Sequence, residues 1–389
     1  MKIAGIIAEY DPFHNGHAAH IAATRAAGAT HIAVVLGGNF TQRGEPAAIP
    51  KEIRTRMALR GGADLVLELP LSWSMAPAER FARGGVAILH ALGCVDLLSF
   101  GSESGDLPRL QRIAAWLDSP DGVAALRRKL DAGVSYAAAW ERAVQTVDST
   151  APVLPNDLLG IEYLRAIRHF GAGMTAFAVR RSGAAHGSDA PDGNIASASF
   201  LRQKLAQNGS VAEYIPPACR DLLTDAVKSG KAPFDPAAVS PAVLSCWRSM
   251  TAEQIAALPY VSEGLENRFY KAARTADTPE ALAAAVAARR YSPARIRRIL
   301  TAAWLGIRAP LDPLPPYIRV LGMNGRGAEI LHRAKPSLPL LSRAAQIREL
   351  SPAAQMTYEA ECRATDLYGL GLPVVPSCGA EQQWQLIRE

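Results

Sequence analysis

Apolar residues in the first hundred positions come in short continuous runs rather than in strict alternation. Residues 2–8 (Lys-Ile-Ala-Gly-Ile-Ile-Ala), 31–36, 65–67 and 95–100 are such runs, each of a length that suits a strand buried on both faces. Segments of helical length lie between them: residues 16–27, which Gly28 stops; 51–60, which Gly61 and Gly62 close; and 79–92. Strands and helices alternating at this spacing predict an α/β fold, a Rossmann-like, doubly wound parallel sheet. Ligands of such sheets bind beyond the carboxyl ends of the strands. The loops that open at Glu9, Gly37, Glu68 and Gly101 are therefore expected on one functional edge.

Further on, residues 123–132 and 137–147 read as helices, and Pro152 and Pro155 break the pattern. Asn156 stands where an N-cap belongs, ahead of an apolar-periodic helix (Leu158, Leu159, Ile161, Leu164). Residues 174–179 suit a fifth strand, 182–194 a mobile loop rich in Gly, Ala and Asp, and 195–206 another helix. From residue 208 onward the pattern is mostly helical, through 252–258, 264–276, 279–289 and 293–305. This predicts two domains: a sheet-based one over 1–207 and a mainly helical one over 208–389.

Composition narrows the class. The chain has 389 residues, 49% of them hydrophobic, enough for two or three cored domains and incompatible with a disordered chain. No apolar stretch approaches the ~20 residues of a membrane span, and no signal peptide is legible. The five cysteines are scattered without metal-ligand spacing, which predicts a reducing cytoplasm and no structural zinc. The net charge is +6, compatible with a polyanionic partner. Only eight of the 42 basic residues are lysine. That bias suits either a GC-rich genome or phosphate recognition by guanidinium forks.

Two short constellations carry chemistry. Asp11-Pro12-Phe13-His14-Asn15-Gly16-His17 follows the first strand and opens the first helix. A helix N-terminus attracts anions, His14 and His17 supply ring N–H donors, and Gly16 allows close approach of a nucleotide. Catalysis would then be electrostatic, stabilising charge on an α-phosphate during in-line displacement. The bland alternative is a pair of hydrogen-bonded histidines in a turn; zinc lacks a third ligand nearby. The second constellation places Ser197, Ser199 and Arg202 at a later helix start, suited to β- and γ-phosphates or to plain helix capping.

The His-x-Gly-His and Ser-x-Ser-x-x-Arg pair resembles the HxGH nucleotidyltransferase superfamily. Longer strings narrow the resemblance: Gly5 to His17, Gly38 to Ala47 (Gly-Asn-Phe-Thr-Gln-Arg-Gly-Glu-Pro-Ala), Gly62 to Pro70, Phe100 to Glu103, Asn156 to Tyr163, and Arg319 to Asn324. Together they resemble the bacterial tRNA(Met) cytidine acetate ligases. Asp11 departs from that pattern, where Asn is usual, as do Ser199 and Leu201, where Thr and Ile are usual.

The resemblance implies an enzyme that activates acetate with ATP as acetyl-adenylate. The acetyl group then passes to N4 of the wobble cytidine of elongator tRNA(Met). It implies ATP contacts from Ile7, Ala8, Glu9, Tyr10, Asp11, Pro12, Phe13, His14, Asn15, Gly16, His17, Ala18, Ala19 and His20, and from Gly101, Asn156 and Arg181. His14 and His17 would be catalytic. Ser197, Ser199 and Arg202 would face the outgoing pyrophosphate. Mg²⁺ would accompany ATP on phosphates and water, with no protein metal site and no tightly bound cofactor. Asp64, Glu68 and Glu103 either orient ligands or cap and pair at the sheet edge.

For the tRNA, the basic run over 289–298 offers Arg290, Arg295, Arg297 and Arg298 to phosphates and Tyr291 to an unpaired base. No membrane and no stable protein partner are expected. Two other classes stay open: adenylyl transfer to a small phosphorylated metabolite, and a non-catalytic, nucleotide-gated RNA-binding protein.

Overall fold

The computed structural model describes residues 1–131, 136–150, 152–181, 190–262 and 264–389. The predicted strands form as β1 (Ile3–Ala8), β2 (His31–Gly37), β3 (Leu65–Leu69), β4 (Leu97–Ser102) and β5 (Thr175–Arg180). They are mutually parallel and lie in the order β5-β4-β1-β2-β3. Crossovers run through α1 (Asn15–Ala26), α2 (Lys51–Arg60), α3 (Leu71–Ser74) and α4 (Ala78–Ala91). Between β4 and β5 lie α5 (Leu107–Leu117), α6 (Pro120–Asp131), α7 (Tyr136–Val144) and α8 (Pro155–Phe170). Helix α5 is an addition to the sequence reading. Its signal was present: Asp106 caps it, Pro108 stands in its first turn, and Leu110, Ile113, Ala114 and Leu117 are buried at helical spacing.

The sheet is packed on both faces because side chains alternate along each strand. Ile3 and Ile7 join the core under α4 and α8, while Ala4 and Ile6 join the one under α1 and α2. Gly5 lets α4 press close: a Cβ there would sit 2.5 Å from Leu89 Cδ1.

Helix α9 (Ala198–Ala206) is followed by α10 (Pro217–Lys228), α11 (Pro236–Ser249), α12 (Ala252–Ala256), α13 (Leu265–Thr275), α14 (Pro279–Val286) and α15 (Pro293–Trp304). Helices α11 to α15 share a core built around Trp247 and Phe269, whose rings stack at 4.8 Å. The chain then returns to the sheet. Strand β6 (Ile318–Met323) pairs antiparallel with β3, making the sheet mixed. It is followed by α16 (Gly325–Arg333), β7 (Leu340–Leu341), α17 (Pro352–Gly369) and β8 (Ile387–Arg388); β7 and β8 both pair with β6. Arg319, the second residue of β6, hides the strand from a hydropathy reading.

Arg319 belongs to a buried charge network that joins this returning segment to β3 and α2. Lys51 Nζ contacts Glu68, Glu361 (3.0 Å) and Glu381 (2.7 Å), and Arg319 Nη1 contacts Glu68 (3.0 Å) and Glu381 (2.6 Å). All five side chains are at most 5% exposed. Glu68 thus lies inside β3 rather than in an edge loop, and it pairs with cations instead of orienting a ligand. Asp64 is likewise structural: it accepts from Arg25 and from the Ile32 N–H, each at 2.8 Å.

Candidate active site

The two sequence constellations meet at the carboxyl edge of β1 and β4, where the strand order reverses. Asn15 Nδ2 donates to Asn194 O (2.8 Å) and Glu213 O (3.0 Å), and Arg202 Nη1 donates to Asp11 O (2.9 Å). These contacts set the start of α9 beside the start of α1. Ser197 caps α9 by accepting from Phe200 N–H at 3.1 Å, and its hydroxyl lies 2.9 Å from that of Ser199. The expected 182–194 loop falls largely on 182–189, outside the described residues; beyond it, Asp192 bridges to Ile195.

Helix α1 begins at Asn15, one residue earlier than expected, with His14 as its N-cap. The imidazoles form a capping box: His14 Nδ1 accepts from Gly16 N–H (3.1 Å), and His17 Nδ1 accepts from His14 N–H (3.3 Å). Each neutral ring therefore carries its proton on Nε2. The rings stack at 3.7 Å. This changes the expected picture in one respect. Two of the N–H groups at this end are taken by the imidazoles, so the donors offered to an anion are chiefly the two Nε2–H groups.

Burial pushes His14 down to about 3, helped by Arg181 and Arg202, and His20 down to about 4, helped by Arg181. His17 is held well below its ordinary value by burial, then by His14, Arg181 and His20. All three rings are neutral at pH 7, while the two guanidinium groups supply the positive field. In the unfolded chain these histidines bind protons near pH 6.5, and in the folded one they do so only far below it. Their contribution to stability is complete above pH 6.5 and is lost as the pH falls toward 4 and 3. The melting temperature is therefore expected to drop further between pH 7 and pH 5 in the wild type than in His20→Gln, and equal drops would contradict this.

Around the imidazoles, Tyr10 (φ +50°) and Phe13 are buried, with the Tyr10 ring 4.8 Å from Phe13 and 4.7 Å from His17. His20 Nε2 lies 2.9 Å from Ser99 Oγ, tying α1 to β4. Pro12, Ala18 and Gly16 line the same turn. The Ile7 side chain packs toward Gly85 of α4, and Ala19 is exposed. Asp11 also turns away, its carboxylate accepting the N–H groups of Ala48 and Ile49, both at 3.0 Å.

On the β4 side, Gly101 leaves room for the Arg181 stem, whose Cγ would lie 3.5 Å from a Cβ there. Asn156 is a second correction. The N-cap of α8 is Leu154, and Asn156 lies in the first turn. The capping acceptor is Glu103, 53 residues earlier: it takes the N–H of Asn156 (3.1 Å) and of Asp157 (2.9 Å), and Asn156 Nδ2 donates to it at 2.6 Å. Side-chain capping from a distant loop has no local sequence signature. Glu103 thus caps, one of its two expected roles, and thereby sets Asn156 beside Gly101.

The family model described as HIGH Nucleotidyl Transferase matches residues 1–382. The tRNA(Met) cytidine acetate ligase of Acetivibrio thermocellus is 40% identical, covering 95% of this chain and 94% of its own. That of Syntrophotalea carbinolica is 38% identical over 96% and 95%. The chain belongs to the tRNA(Met) cytidine acetate ligase family. A crystal structure of Thermotoga maritima TmcAL bound with alpha-thio ATP superposes with a TM-score of 0.91 at 28% identity, covering 100% of this chain and 99% of that one. The chain is accordingly an ATP-dependent ligase with a nucleotidyltransferase fold.

Of the basic run expected to face RNA, Tyr291 and Arg298 are buried. Tyr291 is 4% exposed, and the Arg290 and Arg295 guanidinium groups lie 5.4 and 5.2 Å from its ring. It has no open face for a base, a third correction. Arg298, 7% exposed, donates to Gln42 O at 2.9 Å, which removes it from a phosphate surface as well. Arg295 holds Tyr260 O (3.0 Å) and Ser262 Oγ (2.6 Å), and Arg297 pairs with Glu45 at 2.9 Å. Arg290 is exposed. What the sequence reading missed is that Arg297 and Arg298 clasp the 42–45 loop beside the nucleotide edge. Arg54 was missed for a similar reason. Buried in α2, it donates to the carbonyls of Glu9, Gly37, Gly38 and Ile49. Among the described residues no helix is long and apolar enough to cross a membrane, and all five cysteines are free.

Proposed function

We propose that this chain forms acetyl-adenylate from acetate and ATP and transfers the acetyl group to N4 of the wobble cytidine of elongator tRNA(Met), giving N4-acetylcytidine. The observation that carries this reading is the tautomer-locked pair His14 and His17, in a chain whose relatives bear that activity in their names. An acetate oxygen attacks the α-phosphorus and pyrophosphate leaves. The two Nε2–H groups stabilise the charge that builds on the α-phosphate oxygens. With each Nδ1 already accepting a backbone N–H, the neutral rings act here only as donors.

Arg202, with Ser197 and Ser199 at the start of α9, offsets the charge of the departing pyrophosphate. Gly101, Asn156 and Arg181 would take the adenosine side. Mg²⁺ would ride on the phosphates and water. The one tight carboxylate cluster among the described residues, Glu68, Glu361 and Glu381, already holds the Lys51 ammonium and does not suit a cation site. In the second step the amine attacks the acetyl carbonyl carbon and AMP departs. A wobble cytidine sits in a single-stranded loop and reaches a pocket without breaking a duplex. For the RNA backbone, Arg289 and Arg290, exposed before α15, are the contacts this reading expects.

The test incubates the protein with ATP, labelled acetate and bulk tRNA. Label is expected in tRNA(Met), released by nuclease digestion as N4-acetylcytidine. Acetate-independent ATP turnover with label on no tRNA would overturn the reading in favour of a metabolite substrate.

A further inference from the structure

We infer that Glu9 is the catalytic base of the second step, its Oε2 accepting the N4 proton as the cytosine amine attacks the acetyl carbonyl. The inference rests on the acetyl-transfer reading above. It starts from which groups at the nucleotide edge are able to accept a proton. His14 and His17 are excluded, since each has its Nδ1 taken by a backbone N–H and its Nε2 protonated. Asp11 has both oxygens on the Ala48 and Ile49 N–H groups. Glu103 has both on α8, and Asp157 accepts from Ser102 and from the Ser104 N–H. Glu68 is held by Lys51 and Arg319. Glu9 differs: Oε1 accepts from the Gln42 N–H at 2.6 Å, and no described residue donates to Oε2.

The position of Glu9 also fits the step. It follows the last residue of β1, between the histidine turn and the end of β2, with its Cγ 3.8 Å from where a Gly37 Cβ would lie. This is the β2 side of the edge, opposite the Gly101 and Asn156 side expected to hold adenosine. Glu9 is held at two points, its backbone by Arg54 and its carboxylate by Gln42. Arg54 fixes the Glu9 carbonyl (2.5 Å) and the Gly37 carbonyl (3.0 Å). The Gln42 donor is fixed by α15, where Arg298 takes Gln42 O (2.9 Å), Arg297 pairs with Glu45 (2.9 Å) and Thr301 takes Gly44 O (2.7 Å). Burial raises the Glu9 pKa, against the Gln42 hydrogen bond, toward the range useful to a base at neutral pH.

The step balances simply. The N4–carbon bond forms, the carbon–oxygen bond to the adenylate breaks, AMP leaves as an anion, and the N4 proton passes to the Glu9 carboxylate and then to water.

The experiment compares Glu9→Gln with wild type in two partial reactions. One is acetate-dependent exchange of pyrophosphate into ATP, with acetohydroxamate formation by added hydroxylamine as its check. The other is single-turnover acetyl transfer to tRNA(Met). Because Glu9 lies in the segment expected to contact ATP, both reactions are expected to slow, with transfer falling about 10²- to 10³-fold further than exchange. Glu9→Asp, which keeps the base but shortens it, is expected to restore part of the transfer rate. It is the variant to read if Glu9→Gln melts well below the wild type. Exchange and transfer falling equally, or transfer unchanged, would overturn the role of Glu9. A wild-type protein whose exchange ignores acetate would overturn the underlying reading instead.

Discussion

Replacing His17 by alanine is expected to lower acetate-dependent ATP–pyrophosphate exchange by about 10²- to 10³-fold, the loss typical of one well-placed donor to a developing oxyanion. His14→Ala is expected to do the same, with an added stability cost. His14 is the N-cap of α1, and losing a side-chain cap costs about 1 kcal/mol. The two effects are separable. His14→Asn keeps an acceptor for the Gly16 N–H but offers no Nε2–H, so it is expected to recover melting temperature without recovering exchange. Recovery of exchange in that variant would mean that the ring caps the helix and does nothing for the phosphate. Retention of tRNA by all three variants is the control, since neither imidazole is expected to contact the RNA.

The second large effect concerns stability. Lys51→Met removes one of the two cations that face Glu68, Glu361 and Glu381 in a dry interior. Burial works against the Lys51 ammonium, yet Glu361, Glu381 and Glu68 outweigh it and raise its pKa above the usual lysine value. Breaking a buried ion pair from one side typically costs about 3–5 kcal/mol, because the partner charges stay buried and uncompensated. Urea unfolding of Lys51→Met should show a loss of that order. Burial, against the pull of Lys51, raises Glu361 to about 7, so it is readily neutralised. Lys51→Met/Glu361→Gln is accordingly expected to be more stable than the single variant. A single variant within about 1 kcal/mol of the wild type would mean that water or protonation already relieves this network.

How much of this was legible beforehand follows from the range of each interaction. The sheet and its crossovers were written locally: four short apolar runs separated by segments of helical length with glycine stops are enough for a parallel α/β core. The histidine turn and the Ser197–Arg202 helix start were visible for the same reason, as residue types bunched at the ends of elements. Even α5 was present as a capped, periodic segment and simply went unread. Strand β6 was not legible, because Arg319 interrupts its apolar run and its charge makes sense only beside Glu68 and Glu381.

The sequence by itself determined the α/β class, the placing of two anion-binding constellations at element starts and the family resemblance. Only the tertiary structure decided which nitrogen of each histidine carries the proton, that Glu103 rather than Asn156 caps α8, and that Arg297 and Arg298 grip the 42–45 loop. The physical reason is that propensity and periodicity act over a few residues. Hydrogen-bond partners, desolvation and the sign of the local field are set by groups 50 to 300 positions away, and no local pattern encodes them.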